Sequence, residues 1–218
     1  MSEDRYIRQS GIFSQELLNK HPVTIIGVGA IGRNVAIQLT AMGVENIRIY
    51  DFDTVEEHNI ASQGFRDFDV SLKKVEAVAN ACNDINPNCK MHMLGRRFPV
   101  TTDVTNHVIF MCVDSIRMRR FIFNGVKDEV SLMIDTRMVA ESFRVLTVNG
   151  LISQKKYEES LFSQDEAFPQ SCTSKSTIYC ANIAAGFAIS SFTKWLRRIP
   201  VDEDVFINLF ANEITCGD

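Results

Sequence analysis

The sequence predicts an α/β fold built on a mostly parallel sheet flanked by helices. Three observations carry this reading. Short apolar runs alternate with longer amphipathic ones along the chain. A glycine-rich turn, residues 27–32, joins a β-branched apolar run to a helical pattern. Val108–Val113 is a continuous apolar run, as in a strand buried on both faces.

Taken in order, Val23–Ile26 predicts the first strand and Ile31–Met42 the helix after the turn, with Gly43 placed to end it. Ile47–Tyr50 predicts a second strand, Lys73–Asn83 a helix, and Asn86-Pro87-Asn88 a turn. Met91–Leu94 is a third strand and Val108–Val113 a fourth. A helical run, Ile116–Phe123, follows. Leu132–Ile134, Val145–Val148 and Leu151–Ser153 predict further strands, the last two around an Asn149-Gly150 hairpin signal. An antiparallel extension near the C-terminus is thus expected. Gln154–Gln170 is polar and without clear period, so it reads as a loop. A long helix is expected over 174–198, with Lys194, Arg197 and Arg198 offsetting its dipole before Pro200.

Composition narrows the function classes. At 218 residues, 45% apolar and 23% charged, the chain reads as one globular domain spanning 1–218. Its formal charge of −4 argues against a nucleic-acid footprint. No apolar run reaches the roughly 20 residues of a membrane span, and the opening MSEDRYIRQS lacks the apolar centre of a signal peptide. A cytoplasmic protein without membrane or nucleic-acid partners is therefore expected. Six cysteines (82, 89, 112, 172, 180 and 216) in such a chain do not suggest a disulfide framework.

Residues 27–32 read Gly-Val-Gly-Ala-Ile-Gly between a strand and a helix, the context of a phosphate-binding turn. Gly27 permits the tight turn, Gly29 lets the backbone approach a phosphate, and Gly32 lets helix and strand pack closely. The helix start then offers unpaired N–H groups to an anion. Asp51, at the end of the second strand, suits ribose hydroxyls. These features do not separate ATP from NAD. Three strand ends carry an aspartate: Asp51, Asp114 and Asp135. An aspartate beside phosphates is the expected ligand of Mg²⁺, and Asp114 is chosen for it. The competing reading of Asp114 is a cap for the helix that follows. Cys82 and Cys89 flank a turn and read as small core residues, as do Cys112 and Cys180.

The segment DFDTVEEHNIASQ, with Lys74 and the early RYIRQ, resembles the ThiF/MoeB/HesA family, relatives of the ubiquitin-activating enzymes. CVDSIRMRR, IDTRMVAES and CTSKSTIYCANIAAG look like later blocks of that family. The resemblance implies a Rossmann-like domain that binds ATP and Mg²⁺. It further implies adenylation of the C-terminal glycine of a small β-grasp, ubiquitin-like or sulfur-carrier protein. By that resemblance Asp51 binds the ribose, while Asp53, Asn59 and Gln63 shape the nucleotide pocket. Lys74 reaches the phosphates, and Asp114 holds magnesium. Arg8, in RYIRQ, matches an arginine that acts on phosphates across a dimer interface, which implies a homodimer.

The chain also departs from the family. Many members have Asn-x-x-Arg-Gln where residues 59–63 read Asn-Ile-Ala-Ser-Gln, so Ser62 stands in place of the arginine. Arg66 supplies the charge only if its loop turns back. The sequence has no Cys-x-x-Cys, so the family's structural zinc is not expected. Phe168-Pro169-Gln170-Ser171-Cys172-Thr173 is similar to the thioester-forming Cys-Thr of ubiquitin-activating relatives, and Cys172 is a candidate nucleophile. At 218 residues there is no room for an added sulfur-donor or ubiquitin-fold domain, so such partners are expected to be separate. Two other readings stand beside the adenylating enzyme. One is a non-catalytic subunit of this fold that docks carrier proteins. The other is an NAD-dependent oxidoreductase, which lacks chain for a substrate domain.

Overall fold

A computed structural model of the chain describes residues 3–161 and 176–217. The elements run α1 (Gln15–Leu18), β1 (Val23–Ile26), α2 (Ala30–Met42), β2 (Asn46–Tyr50), α3 (His58–Gln63), α4 (Lys74–Ile85), β3 (Lys90–Leu94), β4 (Val108–Met111) and α5 (Ile116–Val126). They continue with β5 (Leu132–Val139), β6 (Ser142–Val148), α6 (Leu151–Glu159), α7 (Ile178–Leu196), β7 (Asp204–Asn208) and β8 (Glu213–Gly217).

The strands form one sheet in the order β3-β2-β1-β4-β5-β6-β7-β8. From β3 to β5 neighbouring strands are parallel, and β5 to β8 pair antiparallel. The mostly parallel sheet and its C-terminal antiparallel extension are as the sequence implies. Because β1 is flanked by β2 on one side and β4 on the other, the strand order reverses there. Open parallel sheets bind ligands in the crevice that such a reversal opens above the strand ends.

The period of two along the strands serves two apolar cores. Ile25, Phe110 and Ile134 face one core, shared with Val35 and Leu39 of α2, Val75 and Val78 of α4, and Ala184, Ala188 and Phe192 of α7. Ile26, Ile109, Met111 and Met133 face the other, with Ile122 and Phe123 of α5 and Tyr157 of α6. Ala181, Ala184, Ala185 and Ala188 of α7 are buried, and α7 packs against α2.

Three expectations fail for physical reasons, one being the loop over 154–170, whose residues 154–159 are helical as part of α6. Leu151–Ser153 is the start of α6 and not a strand, because the Ser153 hydroxyl accepts hydrogen bonds from the backbone N–H of Asn149 and Gly150 (3.0 and 3.1 Å). Asn149-Gly150 therefore starts a helix, and the β5–β6 hairpin turns at Ala140–Glu141 instead, with Ala140 at φ 53°. Asp135 is not at a strand end: it lies within β5 and is fully buried. The strands β7 and β8 have no individual counterpart in the sequence reading. Among the described residues no helix is long and apolar enough to cross a membrane.

Candidate functional site

The crevice above β1 and β4 is lined by the glycine turn on one side and residues 112–114 on the other. Gly27 adopts φ 87°, and a Cβ there would sit 2.7 Å from the Cys112 carbonyl oxygen. A Cβ on Gly32 would lie 1.9 Å from the Gly27 carbonyl oxygen, so α2 starts in direct contact with the turn. Only glycine fits either position. Gly29 is different: the nearest groups to a Cβ there belong to the Gln63 side chain, 3.5 Å away. The backbone is thus open to a ligand at Gly29.

A chain of hydrogen bonds ties this turn to the ends of β2 and α4. The Asp51 carboxylate accepts from Val28 N–H through Oδ2 and from Asp53 N–H through Oδ1, both at 2.9 Å. Each carboxylate oxygen keeps a lone pair for a further donor. Asp53 in turn pairs with Lys74 at 2.9 Å. The local fold makes this pairing: Lys74 N–H donates to the Asp53 carbonyl, and Thr54 bridges Lys73 antiparallel. Asn59 is buried, its Oδ1 accepting from Glu56 N–H at 2.9 Å, which shapes the turn into α3. Gln63, at the end of α3, has a buried Oε1 without a hydrogen-bond partner among the described residues.

Asp114 follows β4, exposed, with no side-chain partner among the described residues. It does not cap α5, since Ser115 does so by accepting from Met118 N–H. One exposed carboxylate beside an open glycine turn is the kind of donor set that suits Mg²⁺, which takes one or two protein oxygens and fills its shell from phosphates and water.

Behind Asp114 lies a buried charge cluster. Asp135 pairs with Arg119 and, at 2.8 Å, with Arg137, and accepts from Tyr157 Oη at 2.9 Å. Arg119 also donates to the Val113 and Thr136 carbonyls, so it grips the backbone next to Asp114. Burial lowers the Arg119 pKa to about 10 and raises the Cys112 thiol to about 12. The guanidinium stays charged at neutral pH, and the thiol stays protonated.

Other predicted residues are placed elsewhere. Arg66 is held by Asp69 at 3.1 Å and Asp84 at 3.1 Å, and its guanidinium stacks on Phe68. Its charge is therefore neutralised by carboxylates, and the hydrogen bond to Asp69 raises its pKa. Ser62 bonds back to the His58 carbonyl. The segment carrying Arg8 packs at the far end of α2, where Gln9 and Gln15 donate to the Met42 carbonyl. A helix of 13 residues is about 20 Å long, so Arg8 is remote from the glycine turn of its own chain. Cys172 lies outside the described residues. Cys82 and Cys180 are buried as expected, and Cys89 and Cys112 are half-buried.

Arg33, Arg119 and Tyr157 were not singled out from the sequence. Arg33 carried one signal: a cation in the first turns of a helix opposes its dipole. Arg119 and Tyr157 carried none, because their role depends on Asp135 being inside.

The fold and this crevice define an α/β protein of the Rossmann-like class with a glycine turn at the strand-order reversal. The ThiF family profile matches residues 3–213, and the chain belongs to that family. It is 34% identical over 97 residues to a ubiquitin-like modifier-activating enzyme 5 from Aedes aegypti, an alignment covering 44% of this chain and 24% of that protein. It is 29% identical over 127 residues to a molybdopterin-synthase adenylyltransferase from Haemophilus influenzae, covering 54% of this chain and 52% of that one. The chain thus matches about a quarter to a half of the length of these relatives. Its fold is similar to that of E. coli MccB crystallised with ATP, at TM-score 0.76 and 15% identity, over 100% of this chain and 72% of that chain.

Proposed function

We propose that this protein is an ATP-dependent adenylyltransferase that activates the C-terminal carboxylate of a small ubiquitin-like or sulfur-carrier protein. The observation that carries the reading is the convergence, at the β1/β4 crevice, of an open glycine turn, Asp51, Lys74 and an unengaged Asp114. Membership of the ThiF family and the named relatives support it.

In this reading the turn from Gly27 to Gly32 cradles phosphates with its N–H groups, and Asp51 accepts from the ribose. Lys74 exchanges Asp53 for a phosphate oxygen. Magnesium held by Asp114 would neutralise part of the triphosphate charge. A carboxylate oxygen of the carrier attacks the α-phosphorus, the bond to the bridging oxygen breaks, and pyrophosphate leaves. Such displacements need positioning and charge neutralisation more than covalent help. Arg8, remote from its own turn, serves the site of a second copy, so the active form is a homodimer. Cys172 takes the activated acyl group as a thioester, releasing AMP. A cytoplasmic location suits an enzyme that consumes ATP.

The test is radiolabelled ATP–pyrophosphate exchange with candidate carriers. Exchange that depends on a carrier is expected, and Cys172→Ala should leave it intact while removing a thiol-sensitive adduct. A specific observation favours one other reading, a carrier-docking subunit without catalysis: Ser62 replaces the family's arginine, and Arg66 is taken up by two carboxylates. Carriers that bind tightly yet support no exchange would select it.

A further inference from the structure

Arg33 sits one residue past Gly32, near the N-terminal end of α2, half-buried. Its guanidinium lies 5.4 Å from the Phe65 ring centre, and one terminal nitrogen would be 3.1 Å from a Cβ on Gly64, just past the end of α3. Its Nε is buried without a hydrogen-bond partner, and Arg33 forms no ion pair among the described residues. Other cations with little exposure have carboxylate partners: Lys74 with Asp53, and Arg119 and Arg137 with Asp135. Arg66 has Asp69 and Asp84.

An unmatched cation here is costly twice over. Burial disfavours its charge, and its pKa is lowered for that reason, with Asp69 acting in the opposite direction. The helix dipole adds positive potential at the same end. Both costs vanish when an anion enters between the turn and the end of α3.

We propose that Arg33 binds the polyphosphate of the nucleotide and supplies the cation that Ser62 does not. This rests on the adenylating reading above. It assigns the missing positive charge to α2 in place of α3 and leaves Arg66 to its carboxylates.

The test is calorimetric titration of the full chain with ATP and with adenosine, alongside ligand-free melting, for wild type, Arg33→Gln and Arg33→Met. ATP affinity should fall about 10- to 100-fold in both variants, the range of a charge-assisted hydrogen bond. Adenosine affinity should change less than about twofold, since adenosine lacks phosphates. Without ligand, neither variant should melt below wild type, because each removes a half-buried charge that has no ion-pair partner among the described residues. Adding Ser62→Arg to the Arg33→Gln chain should restore ATP affinity. Unchanged ATP affinity, parallel loss of adenosine, or lower ligand-free melting in both variants would overturn the assignment. A wild-type chain that binds no ATP would overturn the adenylating reading itself, and this proposal with it.

Discussion

The Lys74 ammonium lies 2.9 Å from the Asp53 carboxylate, 21 residues earlier in the chain. The lysine side chain is 9% exposed and the aspartate 46%, so the pair stands at the edge of the crevice with its cation on the inner side. Through Asp53 N–H to Asp51, and Asp51 to Val28 N–H, this pair connects to the glycine turn. A ligand that moves one member of this chain acts on all of it.

Lys74→Met should therefore slow ATP–pyrophosphate exchange on the order of 100-fold, the usual cost of removing a donor aimed at transition-state charge. Stability should change little, because Asp53 is exposed enough to be rehydrated. Exchange rates beside thermal melts decide this. A rate loss below threefold would place Lys74 away from the phosphates.

Asp114 and Ser115 are neighbours with separable duties. Asp114→Ala should abolish exchange with an unchanged melting curve, since the carboxylate caps nothing. Ser115→Ala should cost about 1 kcal/mol through loss of the α5 cap. Urea denaturation of both variants, paired with exchange assays, checks the division.

The Asp135 cluster makes the opposite prediction. Asp135→Asn leaves Arg119 and Arg137 as buried cations without a counter-charge and should cost about 3–5 kcal/mol. Tyr157→Phe removes one hydrogen bond to that carboxylate and should cost roughly 1–2 kcal/mol. Denaturant midpoints measure both. Similar losses for the two substitutions would mean that the ion pairs contribute little.

His107 gives the fold an acid limit. It is buried against the Thr24 hydroxyl at 2.9 Å, and burial, aided by Arg48, lowers its pKa from 6.5 to about 4. Between those values the unfolded chain binds the proton and the folded chain does not. Stability is therefore full above about pH 6.5 and falls as pH drops toward 4, by at most about 1.4 kcal/mol per pH unit. His107→Gln should flatten that slope in denaturation curves taken from pH 7 to 4.

Much of this protein was legible in its residues because local physics wrote it there. Val23–Ile26, the glycine turn and the helix to Met42 are short-range patterns, each enforced by β-branching, by a φ that only glycine accepts, or by a 3.6-residue period. The acidic stretch after β2 and Lys74 carried enough of a family signature to anticipate the crevice. Asn149-Gly150 misled because a two-residue signal is compatible with a hairpin or a helix start, and the Ser153 hydroxyl decided between them.

The tertiary structure alone decided which charges are free. Nothing along the chain distinguishes Asp114 from Asp135, since each follows an apolar run. Yet one stands in the open crevice while the other is buried between two arginines. Nor does spacing tell that Arg66 is taken by Asp69 and Asp84 while Arg33 has no ion-pair partner among the described residues. The physical reason is that a charge is defined by its partners across space. A one-dimensional pattern records which groups exist, and only the packed elements determine which of them meet.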